Sequence, residues 1–246
     1  MIDFDLTNQA GVVTGAGKGI GAAVAVELAR LGAQVVACAR TEADIDEVTA
    51  RIRDAGGEAT GIVADVRRYE DMVRLAETCA KNYGKVDFAV PNAGVVVIGN
   101  MSDGDPADWR RLIETNVLGT AYTVRATLPF MKDKHKGHVV IVSSTSGRVT
   151  YTGEPMYVAS KWALAGLGGC LRKEALEYGV RVTVIEPGLV DTPMIRASEA
   201  GQAELAKIQA ITSEDCANAV AFALCQPPTV NITQLGLLSI QQDYCS

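Results

Sequence analysis

Short runs of β-branched and other apolar residues alternate with helix-length amphipathic segments along the whole chain. The runs predict strands at 12–14, 34–37, 58–64, 86–90, 139–143, 181–185 and 232–240. Between them, helices are expected at 20–31, 44–55, 69–83, 106–134, 156–178 and 213–224. Strands that alternate with helices predict an α/β chain with a doubly wound parallel sheet and helices on both faces. At 246 residues, 48% of them hydrophobic, the chain can bury both faces of such a sheet within one domain, 1–246. No internal repeat, low-complexity stretch or linker divides it. Open sheets of this kind take their ligands beyond the carboxyl ends of the strands, so the residues that follow each strand are the candidates for ligand contact.

Strand one runs directly into Thr14-Gly15-Ala16-Gly17-Lys18-Gly19-Ile20-Gly21 and then a helix. Glycines let backbone amides approach a pyrophosphate, and a helix N-terminus adds a favourable dipole. The spacing is G-x-x-x-G-x-G on Gly15, Gly19 and Gly21, with Ile20 where the stricter dinucleotide fingerprint has its last glycine. Strand two ends in Cys38-Ala39-Arg40, with no carboxylate to bond a ribose 2′-hydroxyl. Arg40 is a planar cation suited to a phosphate, and Lys18 adds a second charge. The expected dinucleotide is NADP(H), with NAD(H) as the alternative; the bland reading of both cations is a solvated surface.

Tyr157 and Lys161 stand four residues apart in a segment with few helix breakers, so both fall on one helical face. A free phenol has a pKa of about 10, and a nearby ammonium favours the phenolate, which suits general acid/base chemistry. Taken alone, the pair is a common accident of helical sequence.

Composition narrows the function classes. With 23 basic and 29 acidic residues the net charge is −6, unlike a general nucleic-acid binder. Cys38, Cys79, Cys170, Cys216, Cys225 and Cys245 form no C-x-x-C pair and no zinc spacing, so neither a disulfide framework nor a metal site is expected. Most read as small buried residues, with Cys245 as an exposed thiol, in a reducing, cytoplasmic setting. The first five residues are acidic and lack a signal-like apolar core, and the apolar run at 95–98 is too short to span a bilayer. His135 and His138, beside a basic turn at 132–136, are expected to be solvated.

The glycine loop and the tyrosine–lysine pair together resemble the short-chain dehydrogenase/reductase family, whose fold is a Rossmann-like doubly wound sheet. Further motifs follow in the family's order. Asp65-Val66 ends strand three, where the family holds adenine. Asn92-Ala93-Gly94 closes strand four, although Pro91 replaces a second asparagine. Asn116, in Thr115-Asn116-Val117, matches a helix asparagine whose carbonyl binds water beside the lysine. Ser144 precedes Tyr157 by thirteen positions, as the catalytic serine does; Ser143 is its competitor, because neighbouring strand residues face opposite ways. Pro187-Gly188-Leu189-Val190-Asp191-Thr192 resembles the loop that holds the nicotinamide carboxamide, and implies cofactor contacts from Pro187, Gly188, Val190 and Thr192.

The resemblance implies hydride exchange between NADP(H) and a small carbonyl or alcohol. In it, Tyr157 moves the proton, Ser144 orients the substrate oxygen, Lys161 holds the nicotinamide ribose and Asn116 supports a proton relay. A lid is expected at 190–211. Val95, Val96, Thr150, Met156, Leu189 and Met194 are candidates for the pocket wall, with Ser144, Tyr157, Met156, Leu189 and Met194 as the substrate contacts. Glu154 and Arg196 are candidates for polar substrate groups or, more plainly, solvated surface. The C-terminal segment from Pro227 is similar to an NADP-preferring branch of 3-hydroxy acid dehydrogenases and clavulanate-type ketoreductases. The two long helices at 106–134 and 156–178 resemble those that pair in the family's homotetramers and homodimers. Two other readings stay open: an NADP-binding regulatory sensor, and a non-redox or epimerising enzyme on the same scaffold.

Overall fold

The computed structural model describes residues 4–243, so Cys245 lies outside the described residues. Seven strands form one parallel sheet: β1 (Ala10–Thr14), β2 (Gln34–Ala39), β3 (Glu58–Val63), β4 (Phe88–Val90), β5 (Gly137–Val142), β6 (Val180–Pro187) and β7 (Gln234–Leu237). Their spatial order is β3-β2-β1-β4-β5-β6-β7. The helices are α1 (Gly19–Arg30), α2 (Glu42–Asp54), α3 (Tyr69–Tyr83), α4 (Pro106–Ile113), α5 (Gly119–Lys132), α6 (Pro155–Ala175), α7 (Pro193–Arg196), α8 (Glu199–Lys207) and α9 (Ser213–Leu224).

The apolar strands bury both faces, and side-chain alternation divides them between two cores. Val13, Val35, Ala37, Phe88, Val140 and Ile185 pack with Leu28 of α1, Ile45 of α2 and Val220 of α9. Their neighbours Val12, Val36, Ala89, Val139, Ile141 and Val182 pack on the other side with Leu75 of α3, Val124 of α5 and Leu164 of α6. Each of the valine, leucine, isoleucine and phenylalanine side chains among them, fully buried, contributes about 1.5–3 kcal/mol. Gly11 of β1 has no side chain because the Phe88 ring and carbonyl of β4 occupy that space. The chain turns outward to β2 and β3 on one side of β1, then crosses back to β4 on the other. That reversal leaves a crevice above the carboxyl ends of β1 and β4.

The structure changes several sequence boundaries. The helix expected at 106–134 is interrupted by a π-helical turn, Glu114–Leu118, between α4 and α5. Hydropathy periodicity does not register one added residue per turn, and such turns are frequent at functional sites. Helix α6 stops at Ala175 and continues as a 3₁₀ turn, Leu176–Tyr178, before Gly179 at φ 63. The last strand spans Gln234–Leu237 rather than 232–240. His138 is not solvated: it is a β5 residue with 2% exposure, and burial holds its imidazole well below the usual histidine range. Its Nε2 bonds Thr183 Oγ1 at 2.7 Å, and because that hydroxyl donates to the Ile232 carbonyl, Nε2 carries the proton. Strand alternation carried His138 inward; His135 takes the turn position, at φ 48. Among the described residues, no helix is long and apolar enough to cross a membrane.

Candidate active site

A cleft of about 460 Å³ opens along the carboxyl edge of the sheet. Its walls come from the segments that follow β1 (Gly15 to Gly21), β2 (Arg40, Thr41, Asp44), β3 (Ala64 to Val66), β4 (Asn92 to Val95) and β5 (Ser143), together with Tyr157 and Lys161. Because the strands lie side by side in the order 3-2-1-4-5, the cleft runs from the basic β2 corner to the tyrosine.

The glycine loop is braced from β4. Asn92 Nδ2 donates to the carbonyls of Thr14 and Gly15, at 2.9 and 3.3 Å. In return, Thr14 Oγ1 accepts the amides of Asn92 and Ala93, at 3.1 and 3.2 Å. Gly15 and Gly19 take left-handed φ values of 64° and 56°, where a Cβ is strained. A Cβ on Gly21 would collide with the Gly15 carbonyl and Asn92 Nδ2. The loop is therefore held by contacts only glycine allows, with Thr192 resting against Gly19.

At the β2 corner, Arg40 is exposed and forms no ion pair among the described residues, while Lys18 reaches Asp44 at 3.1 Å. Next to it, Arg67 chelates Asp65, with Nη2–Oδ2 at 2.5 Å and a further bond from the Arg67 amide. These bonds, with a smaller pull from Arg40, hold the Asp65 carboxyl below the usual carboxylate range.

At the opposite end, Lys161 is 6% exposed and its Nζ donates to the Ser143 carbonyl at 3.1 Å, lying 5.5 Å from the centre of the Tyr157 ring. Burial pushes the Lys161 amine down to about 8. The Tyr157 phenol is pushed up to about 12, chiefly by burial and further by the Glu154 carboxylate, while a hydrogen bond with Ser144 works the other way. The expected lowering of the phenol by a neighbouring ammonium is thus outweighed: desolvation acts on both groups and favours their neutral forms.

Asn116 sits on the π-helical turn, 1% exposed, with both amide hydrogens and the carbonyl oxygen of its side chain bonded. Its Oδ1 accepts the Val95 amide at 2.8 Å, and its Nδ2 donates to the Val95 carbonyl at 3.0 Å and to Ser160 Oγ at 3.1 Å. Ser160 Oγ in turn donates to the Tyr157 carbonyl at 2.7 Å. The chain of bonds fixes the β4 loop and the first turn of α6 against each other. The Asn116 carbonyl accepts Thr120 Oγ1 at 2.8 Å.

A sequence profile of the family described as short chain dehydrogenase matches residues 9–203. The chain belongs to the short-chain dehydrogenase/reductase family. Its relatives include an uncharacterized oxidoreductase of Staphylococcus saprophyticus, 36% identical over 94% of this chain and 97% of the relative. Another, from Listeria innocua, is 32% identical over 93% and 95%. Among solved structures, a metagenomic short-chain oxidoreductase in complex with NADP superposes with a TM-score of 0.82 at 33% identity, covering 94% of this chain and 97% of that one. A short-chain type dehydrogenase/reductase from Mycobacterium marinum gives 0.90 at 26% identity, with 95% of each chain covered.

Of the residues singled out from this dehydrogenase's sequence, Gly15, Lys18, Gly19, Ile20, Gly21, Arg40, Asp65, Val66, Asn92, Ala93, Gly94, Tyr157, Lys161, Thr192 and Met194 line the cleft. Asn116, Ser144, Met156, Pro187, Gly188, Leu189 and Val190 are not part of its wall. The Ser144 hydroxyl accepts the Ser146 amide at 3.1 Å and lies 3.3 Å from the Ser146 hydroxyl, and it acts to lower the phenol, while Ser143 lines the cleft and gives its carbonyl to Lys161. Gly188 and Leu189 are covered by Gln242, whose Oε1 accepts the Leu189 amide at 2.9 Å. Arg196 is exposed and paired with Asp191 at 2.6 Å.

Sequence reasoning missed Asp44, Thr41 and Ser160. A threonine and an aspartate three residues apart read as a helix start, and a serine inside a helix carries no signal until its partners are known. No group of three or more His, Cys, Asp or Glu among the described residues is placed to hold a metal ion.

Proposed function

We propose that this enzyme uses NADP(H) to interconvert a small ketone or aldehyde and its alcohol. The reading is carried by one juxtaposition: Tyr157, with Ser144 and Lys161 beside it, closes the end of a cleft whose far end is a glycine loop flanked by Arg40 and Lys18. The cleft suits a dinucleotide, because the glycine loop leaves backbone free where side chains would collide and the β2 corner is cationic. A similar protein, the metagenomic oxidoreductase, was crystallised with NADP. Gly15, Gly19, Ile20 and Gly21 would hold the pyrophosphate, Arg40 and Lys18 the 2′-phosphate, Asp65 and Val66 the adenine, and Lys161 with Thr192 the nicotinamide half. The bound nicotinamide supplies or accepts the hydride.

The protein's own work is proton handling and orientation. The Tyr157 hydroxyl donates its proton to the oxygen of the carbonyl as it becomes an alkoxide, and recovers it from the alcohol in reverse. Ser144, whose hydroxyl acts to lower the phenol, would hold that same oxygen. Lys161 is held on the Ser143 carbonyl at the phenol's side, where a charge on its amine opposes the effect of burial on Tyr157. Asn116 acts through Val95 and Ser160 as a positioning residue. The segment at 190–211 is proposed as a lid: its ends are joined by a bridge between Val190 and Ile211, and it carries α7 and α8. Assembly as a homotetramer or homodimer through α6 completes the reading.

The test is absorbance at the reduced nicotinamide band with panels of ketones, aldehydes, 3-hydroxy acids and secondary alcohols. Turnover with at least one panel, lost in Tyr157→Phe, is expected. Tight NADP⁺ binding with no turnover in any panel would favour a sensor.

A further inference from the structure

The corner of the cleft that would receive the 2′-phosphate contains a carboxylate. Asp44 lies in the first turn of α2, its Oδ1 3.1 Å from Lys18 Nζ, and both residues line the cleft beside Arg40 and Thr41. The Asp44 side chain is 22% exposed, against 63% for Lys18, so the acid is the fixed partner and the lysine the mobile one. Helix α2 also lies tight on the glycine loop, since a Cβ on Gly17 would come within 2.9 Å of Asp44 Cβ.

Asp44 does not close a capping box at the start of its own helix. Thr41 and Asp44 stand at the N-cap and third helical positions of α2, as Thr212 and Asp215 do in α9. In α9 the box closes: Thr212 Oγ1 accepts the Asp215 amide at 3.1 Å, and Asp215 Oδ2 accepts the Thr212 amide at 2.8 Å. In α2 the Thr41 side chain makes no cap bond and the Asp44 carboxylate is turned to Lys18. The same local pattern is thus diverted in α2, where a cation of the cleft engages the acid. The diversion leaves the Thr41 hydroxyl uncommitted in the corner that Arg40 shares.

We propose that Asp44 is a specificity-determining residue that works against the 2′-phosphate: it engages the lysine that would bind that group and sets a negative charge beside the group's path. The proposal rests on the cofactor reading above and refines it. Arg40 draws NADP(H) in, Asp44 opposes it, and the enzyme is left able to use NAD(H), whose ribose hydroxyl meets no such repulsion. Removing one nearby charge across partly solvated space alters the binding of a dianionic group by roughly tenfold. Screening shortens from about 8 Å at 0.15 M salt to about 3 Å at 1 M, so the effect must fade with ionic strength.

The experiment is calorimetric titration of the full chain with NADP⁺ and with NAD⁺ at low and high salt, for the wild type and Asp44→Asn. Circular dichroism melts report folding, and Asp44→Ala serves should Asn disturb the helix start. The expected result is a shift of the Kd ratio by roughly tenfold toward NADP⁺ at low salt, shrinking at high salt. Lys18→Gln is expected to shift it the other way, and the double variant to return it toward the wild type. An unchanged ratio in folded Asp44 variants, or one indifferent to salt, overturns the role of Asp44 while the cofactor reading stands. A wild type that binds neither nucleotide overturns that reading, and this proposal with it.

Discussion

Tyr157 and Lys161 place two opposed pKa shifts side by side, and each has a measurable consequence. With its phenol pushed up to about 12, Tyr157 stays protonated across the neutral range. The phenol is therefore set as an acid, which suits reduction. Oxidation needs the phenolate, so its kcat/KM should climb with pH from neutrality upward while reduction does not, as paired pH profiles would show. In Tyr157→Phe, kcat is expected to fall by roughly 10²–10⁴-fold with folding unchanged. Lys161 has the opposite shift, down to about 8 from 10.5. Below pH 8 the folded protein bears the full cost of a buried ammonium. Between about 8 and 10.5 the unfolded chain binds more protons than the folded one, so wild-type stability rises with pH. Lys161→Met should thus melt higher than wild type at pH 7, with the advantage narrowing between 8 and 10.5; an equal or lower Tm at pH 7 would deny that burial governs this lysine.

At the scale of elements, the π-helical turn between α4 and α5 is what the sequence least revealed. Gly119, which follows it, is needed because a Cβ there would lie 2.6 Å from Val66 Cγ2, at the end of the β3 segment that lines the cleft. Asn116, on the turn, gathers Val95 and Ser160 through three side-chain bonds. Asn116→Ala leaves the Val95 amide without that acceptor and Ser160 without its donor. Unfolding in urea should show a loss of about 2–4 kcal/mol from bonds of this kind. If Asn116 only stabilised the fold, kcat at saturating cofactor would survive at temperatures well below the melt; displacement of Tyr157 through Ser160 predicts that kcat falls there too. The residue was legible from the family's motif, but the work of its side chain was not. Its partners come from 21 and 44 positions further off in sequence.

For the whole molecule, the face of α6 turned from the sheet is the one we propose for a second copy. Trp162 is 50% exposed, and nothing lies within 4 Å of a Cβ built on Gly166 or Gly169, so the face is open and flat behind one large apolar ring. A wide apolar side chain beside small residues suits a helix from a second copy. Sedimentation at micromolar concentration should show a dimer or tetramer, and Trp162→Glu should lower the mass. A wild type that sediments as a monomer would remove α6 from the assembly.

The sequence by itself determined the order of the seven strands, the glycine loop, and the tyrosine–lysine pair, because these depend on near neighbours: backbone space, side-chain alternation and helical spacing. It also favoured Ser144 over Ser143 through spacing carried by the family resemblance; the structure sets Ser143 in the cleft wall and ties the Ser144 hydroxyl to Ser146. Only the tertiary structure decided which charges matter and in which sense. Burial reversed the expected shift of the phenol, carried His138 into the sheet, and set Asp44 on Lys18 rather than on its own helix cap. Desolvation and pairing depend on what the fold brings from elsewhere in the chain, and no local pattern of residues encodes that.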